Sequence, residues 1–388
     1  MLLGFKTELK LNNKQRTMLA KHAGTARHAY NWGLALTKDI LDHNKNNPDH
    51  QIKFPTAIDL HKWLVALVKP NNSWYYESSK SAPQYALRAL SDAWKRCFKK
   101  IGGCPRFKKK GRQDNFTLDG SIKLAHFKIK VPKIGWLKTY ERLPQGIKPK
   151  RVTIRRQANK WSISFSLEIE PTNPPKKVEF VGVDLGVKSL ATLSTGEIFI
   201  GAKAYGKFEA KLSRLQWLNR HKTIGSNNWK KAQLKIARLH QKIANIRKDT
   251  LHKLTTYLAK NHGTVVIEDL NVSGMMANRK LAKAVQDMGF YEFKRQLSYK
   301  SELYSSHVLL ADRWFPSSKT CSNCGQKKES LSLSERTFNC GSCGFTLDRD
   351  LNAAINLADL AVSSTVSACG VDSADTTIVK QEVNSKSA

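Results

Sequence analysis

Residues 178–197 read VEFVGVDLGVKSLATLSTGE. The opening VEFVGVD is a nearly unbroken apolar run, the pattern of a strand buried on both faces, and it ends on the carboxylate of Asp184. Segments 189–193 and 197–200 extend it as a meander. Residues 265–270, VVIEDL, repeat the arrangement: a short buried strand ends at Glu268. Between the two strands, about 202–260 reads as basic helix interrupted at 223–228. A helix over about 286–304, a strand over 307–311 and a last helix from about Asp350, in LDRDLNAAINL (347–357), complete this half. Strands alternating with helices predict an α/β domain, whose sites assemble at strand ends.

Asp184, Glu268 and Asp350 are the candidate catalytic residues. Each sits at the end of an apolar element, in a chain with only 31 Asp and Glu. Clustered carboxylates repel one another unless cations neutralise them. An oxygen-only acidic cluster suits Mg²⁺, which takes its remaining ligands from water and substrate phosphate. Two such ions can activate a water and stabilise the leaving oxygen of a phosphodiester.

Cys321 and Cys324 form one CxxC pair, and Cys340 and Cys343 a second, with 15 residues between them. That spacing predicts a four-thiolate zinc ribbon, structural because no coordination position is left open. Gly325 and Gly344 follow the pairs and permit tight turns around the sulfurs. Lys319, Lys327 and Lys328 give the ribbon a further, nucleic-acid-facing option. Cys97, Cys104 and Cys369 have no partner at ligand spacing and read as ordinary thiols.

The chain has 388 residues with 66 Lys and Arg, a net charge of +35. Such one-sided charge excludes a small neutral metabolite as the only partner and points to a polyanion. The excess has two addresses. Residues 99–112, KKIGGCPRFKKKGR, hold seven basic and no acidic residues. There Phe107 offers a stacking face, and Arg106, Lys108, Lys109 and Lys110 offer phosphate contacts. Residues 202–248 hold 13 basic residues and one acid. An apolar seam of Ile236, Leu239, Ile243, Ile246 and Thr250 leaves Lys235, Arg238 and Lys242 facing outward. The N-terminal apolar run ends at Lys6, too short for a signal peptide, and no stretch approaches 18 apolar residues. Together with the odd cysteine count, this predicts a cytoplasmic protein in a reducing compartment.

The first half divides by pattern. Helical periodicity covers about 14–43, 56–69 and 82–101. Alternation predicts strands over 3–11, 122–131, 151–156 and 160–169, the last two a hairpin through Gln157-Ala158-Asn159. These strands are predicted to form a small β-barrel (1–12 with 102–172) into which a helical module (13–101) is inserted. Pro171, Pro174 and Pro175 mark a stiff linker. Residues 363–388, rich in Ser, Thr, Val and Ala, read as a disordered tail.

These motifs, in this order, resemble the TnpB proteins, transposon-encoded RuvC-like nucleases of the RNase H fold related to compact type V CRISPR effectors. The resemblance rests on 181–197, RLHQKIANIRKDTLHKLTT (238–256), VVIEDLNVSGM (265–275), CSNCG (321–325), CGSCG (340–344) and LDRDLNAAINL. GTARHAYNWGL (24–34) and PRFKKKG (105–111) share in it. It implies an α+β multidomain chain: the barrel with its helical module, then a RuvC-like nuclease domain (178–311 and 345–362) interrupted by the zinc ribbon (312–344). It implies Asp184, Glu268 and Asp350 as the acids holding catalytic Mg²⁺; Asp348 competes, but the Asp-x-Asn pattern favours Asp350. It also implies a guide RNA, a double-stranded DNA target and a short adjacent duplex motif, for which Gln84 and Tyr85 are candidate readers. A prokaryotic, nucleoid-associated location would follow. A nuclease-inactive RNA-guided repressor and a guide-free structure-specific nuclease are the alternatives. Oligomeric state stays open, with a monomer favoured.

Overall fold

The computed structural model describes residues 1–112, 114–332 and 334–369. The chain divides into two compact units, Met1–Ile169 and a second beginning at Glu170.

The first unit opens with strand β1 (Leu2–Lys10) and helices α1 (Asn13–Asn46), α2 (Ala57–Trp63) and α3 (Ser81–Phe98). Asn12 starts α1 with a capping box: its side chain accepts from the Gln15 N–H, and the Gln15 side chain accepts from the Asn12 N–H. Six strands follow: β2 (Asn115–Asp119), β3 (Lys123–Ala125), β4 (Lys128–Val131), β5 (Gly135–Thr139), β6 (Arg151–Gln157) and β7 (Lys160–Glu168). They join β1 in one sheet of order β2-β6-β7-β1-β5-β4-β3.

This sheet is open, which corrects the barrel prediction. Its end strands β2 and β3 pair only with β6 and β4 among the described residues. A barrel closes to cover its own interior. Here helices do the covering: Leu19, Ala23, Leu87, Leu90 and Trp94 share one hydrophobic cluster with Phe116, Ile154, Ile163 and Phe165. Asp119 at the end of β2 accepts from Ser81 and, at 3.1 Å, from the Tyr85 hydroxyl, which ties β2 to α3. The single strand read over 122–131 is two strands, β3 and β4, hinged at His126-Phe127. The β6–β7 hairpin turns where it was placed, with Ala158 and Asn159 in the left-handed region at φ 46° and 67°.

The second unit is built on β8 (Val178–Asp184), β9 (Ala191–Leu193), β10 (Ile198–Phe199), β11 (His262–Glu268) and β12 (His307–Ala311), in the order β10-β9-β8-β11-β12. β8 is antiparallel to β9 and parallel to β11, and β11 is parallel to β12. Helices α4 (Ala204–Arg220) and α5 (Asn227–Asn261) lie between β10 and β11 in sequence. α6 (Val272–Ala277), α7 (Ala282–Met288) and α8 (Phe290–Leu303) precede β12. Two short strands, β13 (Thr337–Asn339) and β14 (Thr346–Asp348), pair with each other, and α9 (Arg349–Cys369) follows.

The apolar run of β11 explains the layering. Val265 and Ile267 pack with Leu251, Leu254, Phe293 and Leu297 from α5 and α8. Val266, on the other face, packs with Leu357 and Ala361 of α9. Both faces are covered, so both registers of the strand are apolar. α5 serves two cores: Leu239 and Ile243 pack on Leu212 of α4, while Leu251 onward packs beneath the sheet.

The helix predicted over 286–304 is broken at Gly289, whose φ of 76° ends α7 in a left-handed cap. Asp287 there is buried and accepts from the backbone N–H of Tyr205 at 2.9 Å and from Arg247 at 3.1 Å. It supplies the N-terminal cap that α4 lacks locally, since Lys203 makes no side-chain cap. Cys97 and Cys104, read as unpartnered, face each other with sulfurs 3.3 Å apart. The tail predicted from 363 is helical as far as Cys369; residues 370–388 and the Cys369 side chain lie outside what is described. Among the described residues no helix is long and apolar enough to cross a membrane.

Candidate acidic centre and thiolate knuckle

Asp184 is the last residue of β8 and Glu268 the last of β11. The parallel register pairs Val183 with Ile267, so the two carboxylates emerge at the same edge of neighbouring strands. Asp350 comes from the first turn of α9. Gly182 makes that approach possible: a Cβ there would lie 1.9 Å from the Ala354 carbonyl and 2.6 Å from the Ala358 nitrogen. α9 therefore rests directly on β8, and its N-terminal turn delivers Asp350 toward Asp184.

Burial pushes the Asp184 carboxyl up to about 7, helped by the negative charges of Glu268 and Asp350 and opposed by Arg349. Arg349 donates to Asp350 at 3.2 Å. Asp348 accepts from the N–H groups of Asp350 and Leu351 at 3.0 and 3.1 Å, the position of an N-cap. Its carboxylate is thus used to start α9, which leaves Asp350 as the acid that faces Asp184. Three carboxylates with a raised acid among them form an oxygen-only donor set of the kind that takes a hard divalent cation.

The four knuckle cysteines converge. Their sulfurs all lie within 4.8 Å of one another, with Cys321–Cys343 at 3.8 Å and Cys324–Cys340 at 3.6 Å. A tetrahedron of Zn–S bonds of about 2.3 Å has edges of about 3.8 Å. This quartet fits one zinc ion and is, among the described residues, the one such group closed to that span; the acids stand wider apart. The backbone N–H of Phe345, then the Asn323 amide, draw the Cys343 thiol down to about 6, which favours the ligating thiolate.

The predicted nucleic-acid residues divide. Arg106, Lys109 and Lys110 are exposed, and Phe107 is half-exposed with the Lys38 ammonium 5.0 Å from its ring centre. Lys108 is turned inward. Its backbone is gripped by Asn31 at 2.8 and 3.0 Å, and its ammonium lies over the Tyr30 ring at 3.9 Å. Lys235, Arg238 and Lys242 are exposed along α5, opposite the seam buried on α4. Gln84 is half-buried at the start of α3, beside Tyr85, whose hydroxyl is engaged by Asp119.

Sequence reasoning missed Ser317, Asn352 and Asn356. Ser317 donates its hydroxyl to Oε1 of Glu268. Asn352 and Asn356 are buried on α9 and donate to backbone carbonyls of the segment leading into the first knuckle. A signal was present: two Asn at i and i+4 inside an otherwise apolar helix, where Asn is a poor helix former without an engaged side chain.

Three family models match the chain: one described as "Probable transposase" over residues 164–279, "Cas12f1-like, TNB domain" over 290–357, and "Helix-turn-helix domain" over 1–46. Along its whole length the chain is similar to "Putative RNA-guided DNA endonuclease InsQ" of Escherichia coli (strain K12), 36% identical over 95% of this chain and 94% of that protein. The chain belongs to the TnpB family. A second TnpB relative, "Putative RNA-guided DNA endonuclease" of Streptomyces pristinaespiralis, is 40% identical over 76% of this chain and 74% of its own. The fold is also that of Cas12f1 in a solved complex with sgRNA and target DNA: TM-score 0.56, 14% identity, 92% of this chain and 98% of that one. In this TnpB chain the span matched as helix-turn-helix is one strand followed by a single 34-residue helix.

Proposed function

We propose that this chain is an RNA-guided DNA endonuclease that hydrolyses target phosphodiester bonds at the Asp184, Glu268 and Asp350 centre. The observation that carries the reading is the convergence of these acids, two on adjacent parallel strand ends and one from a helix laid on the same strand. Full-length relatives named as RNA-guided DNA endonucleases support it.

In this reading residues 178–311 and 345–362 form the RuvC-like nuclease domain and 312–344 the zinc ribbon within it. Asp184, Glu268 and Asp350 would hold Mg²⁺, which when bound supplies an activated water and charge stabilisation at the leaving oxygen. Arg349 braces Asp350 and lowers the field on Asp184, so that the carboxylates share one pocket. Cys321, Cys324, Cys340 and Cys343 would hold one structural Zn²⁺. Guide RNA and target DNA would lie along exposed cations, with Arg106, Lys109, Lys110, Lys235, Arg238 and Lys242 on phosphates and Phe107 beneath a base. Gln84 is the candidate reader of a short duplex motif.

The test is cleavage by the purified ribonucleoprotein. Wild type should cut guide-matched DNA only with Mg²⁺ or Mn²⁺, and Asp184→Ala should abolish cutting while retaining guide RNA. Wild-type cutting by Asp184→Ala, or cutting that ignores the guide, defeats the reading.

A further inference from the structure

The loop between β12 and the first knuckle carries Ser317, whose hydroxyl donates to Oε1 of Glu268. Ser317 is buried, and its carbonyl accepts from Nδ2 of Asn356 at 2.7 Å. The same amide reaches the Thr320 carbonyl at 2.7 Å, which also accepts from Nδ2 of Asn352 at 2.7 Å. Oδ1 of Asn352 accepts from the N–H of Ser322, the residue after Cys321, at 3.0 Å. Two buried amides on α9 therefore grip the backbone from residue 317 to residue 322.

We propose that Ser317 is a positioning residue for Glu268, held there by Asn352 and Asn356, so that the thiolate knuckle and the acidic centre are registered against each other through α9. The inference rests on the reading of Glu268 as an acid that holds a cation. A hydroxyl bonded to one carboxylate oxygen fixes the carboxylate's rotation and limits how it meets a metal. Burial makes the linkage stiff, because an amide withdrawn from water loses free energy unless its hydrogen bonds are kept. The knuckle thus acts on the chemistry without touching the substrate.

Ser317→Ala tests this in the full-length protein bound to guide RNA. Three quantities are measured: Mn²⁺ affinity by calorimetry, zinc content, and kcat and KM on target DNA. Ser317→Ala should weaken Mn²⁺ binding about tenfold or more. It should lower kcat with KM unchanged and retain the zinc. Ser317→Thr, which keeps the hydroxyl, should recover most of both. Asn356→Ala should weaken Mn²⁺ in the same direction while zinc stays bound. Wild-type Mn²⁺ affinity and kcat in Ser317→Ala overturn the proposal. So does an Mn²⁺ effect that appears only together with zinc loss or a collapsed melting transition, since that assigns Ser317 to folding. Glu268→Gln separates the two levels. If it binds Mn²⁺ as wild type does, the underlying reading of Glu268 fails. If it loses Mn²⁺ and Ser317→Ala does not, only the positioning role fails.

Discussion

Gly182 on β8 lies so close to Ala354 on α9 that a β-carbon there would stand 1.9 Å from the Ala354 carbonyl oxygen. The obstacle is helix backbone, which cannot swing aside as a side chain can. Gly182→Ala should therefore lift α9 from the strand, destabilise the protein by about 3 kcal/mol and reduce cleavage strongly. Thermal unfolding and a cleavage assay measure both effects. Gly4→Ala is the control, because no atom lies within 4 Å of its added carbon.

The Asp184 carboxyl is raised to about 7 by burial and by its acidic neighbours. The folded protein then holds a proton that the unfolded chain releases at about 4. This contribution to stability is complete below pH 4 and is lost as pH rises through 7. Without divalent cation, the melting temperature should fall between pH 5 and pH 8. Asp184→Asn should remove part of that fall, on the order of 2 kcal/mol after allowing for water at a half-buried group. Mg²⁺ should raise the wild-type melting temperature at pH 8 and leave that of Asp184→Asn nearly unchanged. Scanning calorimetry at several pH values, with and without Mg²⁺, decides it.

One zinc ion per chain should co-purify, and Cys343→Ser should lose it. Metal binding to such a site is coupled to folding of the segment that supplies the ligands. Proteolysis of the zinc-depleted protein should therefore begin within 312–344. Elemental analysis and peptide mapping provide the two readouts, and full zinc occupancy in Cys343→Ser would remove the assignment.

Asp287 caps α4 from a distance and pairs with Arg247 while buried. Asp287→Ala removes the cap and leaves a guanidinium without its partner. The expected loss is about 2–4 kcal/mol, read as a lower denaturant midpoint. Asp249→Ala, at a solvent-exposed pair with Lys253, should change the midpoint by less than about 0.5 kcal/mol.

Lys235, Arg238 and Lys242 are solvent-facing on α5. Replacing all three with Ala should flatten the dependence of nucleic-acid affinity on salt by about two to three charge equivalents. The melting temperature should stay within a degree or two, because the buried seam is untouched. Binding isotherms at several salt concentrations measure the slope.

The second unit was largely legible because its signals are local. An apolar run closing on an acid, as at 178–184 and 265–268, marks a buried strand end without knowledge of its neighbours. The CxxC pairs were legible for the same reason. The first unit's sheet was not. Whether it closes depends on what covers its inner face, and α1 and α3 answer that through contacts no short window contains. Strand β2 was missed because NFTLD is short and ends on Asp119, whose engagement by Ser81 and Tyr85 is tertiary. Lys108 read as one of several loop cations; only the fold brings Tyr30 and Asn31 beneath it. Ser317 was invisible because one serine near a zinc motif carries no pattern, and its partner Glu268 is far away in sequence.

Strand β1 pairs with β7 from Leu2 to Glu8 and then with β5 at Leu9 and Lys10. Its neighbours on both sides thus come from much later in the chain, β7 ending at Glu168. On the ribosome, the first strand to emerge is among the last to find its partners. The helices α1 to α3 are complete long before then and can shelter their own apolar faces. The sheet has no such option and must wait for the chain to return. A pause in synthesis between residues 139 and 168 would leave β1 with a bare edge on the β7 side, open to pairing with another nascent chain.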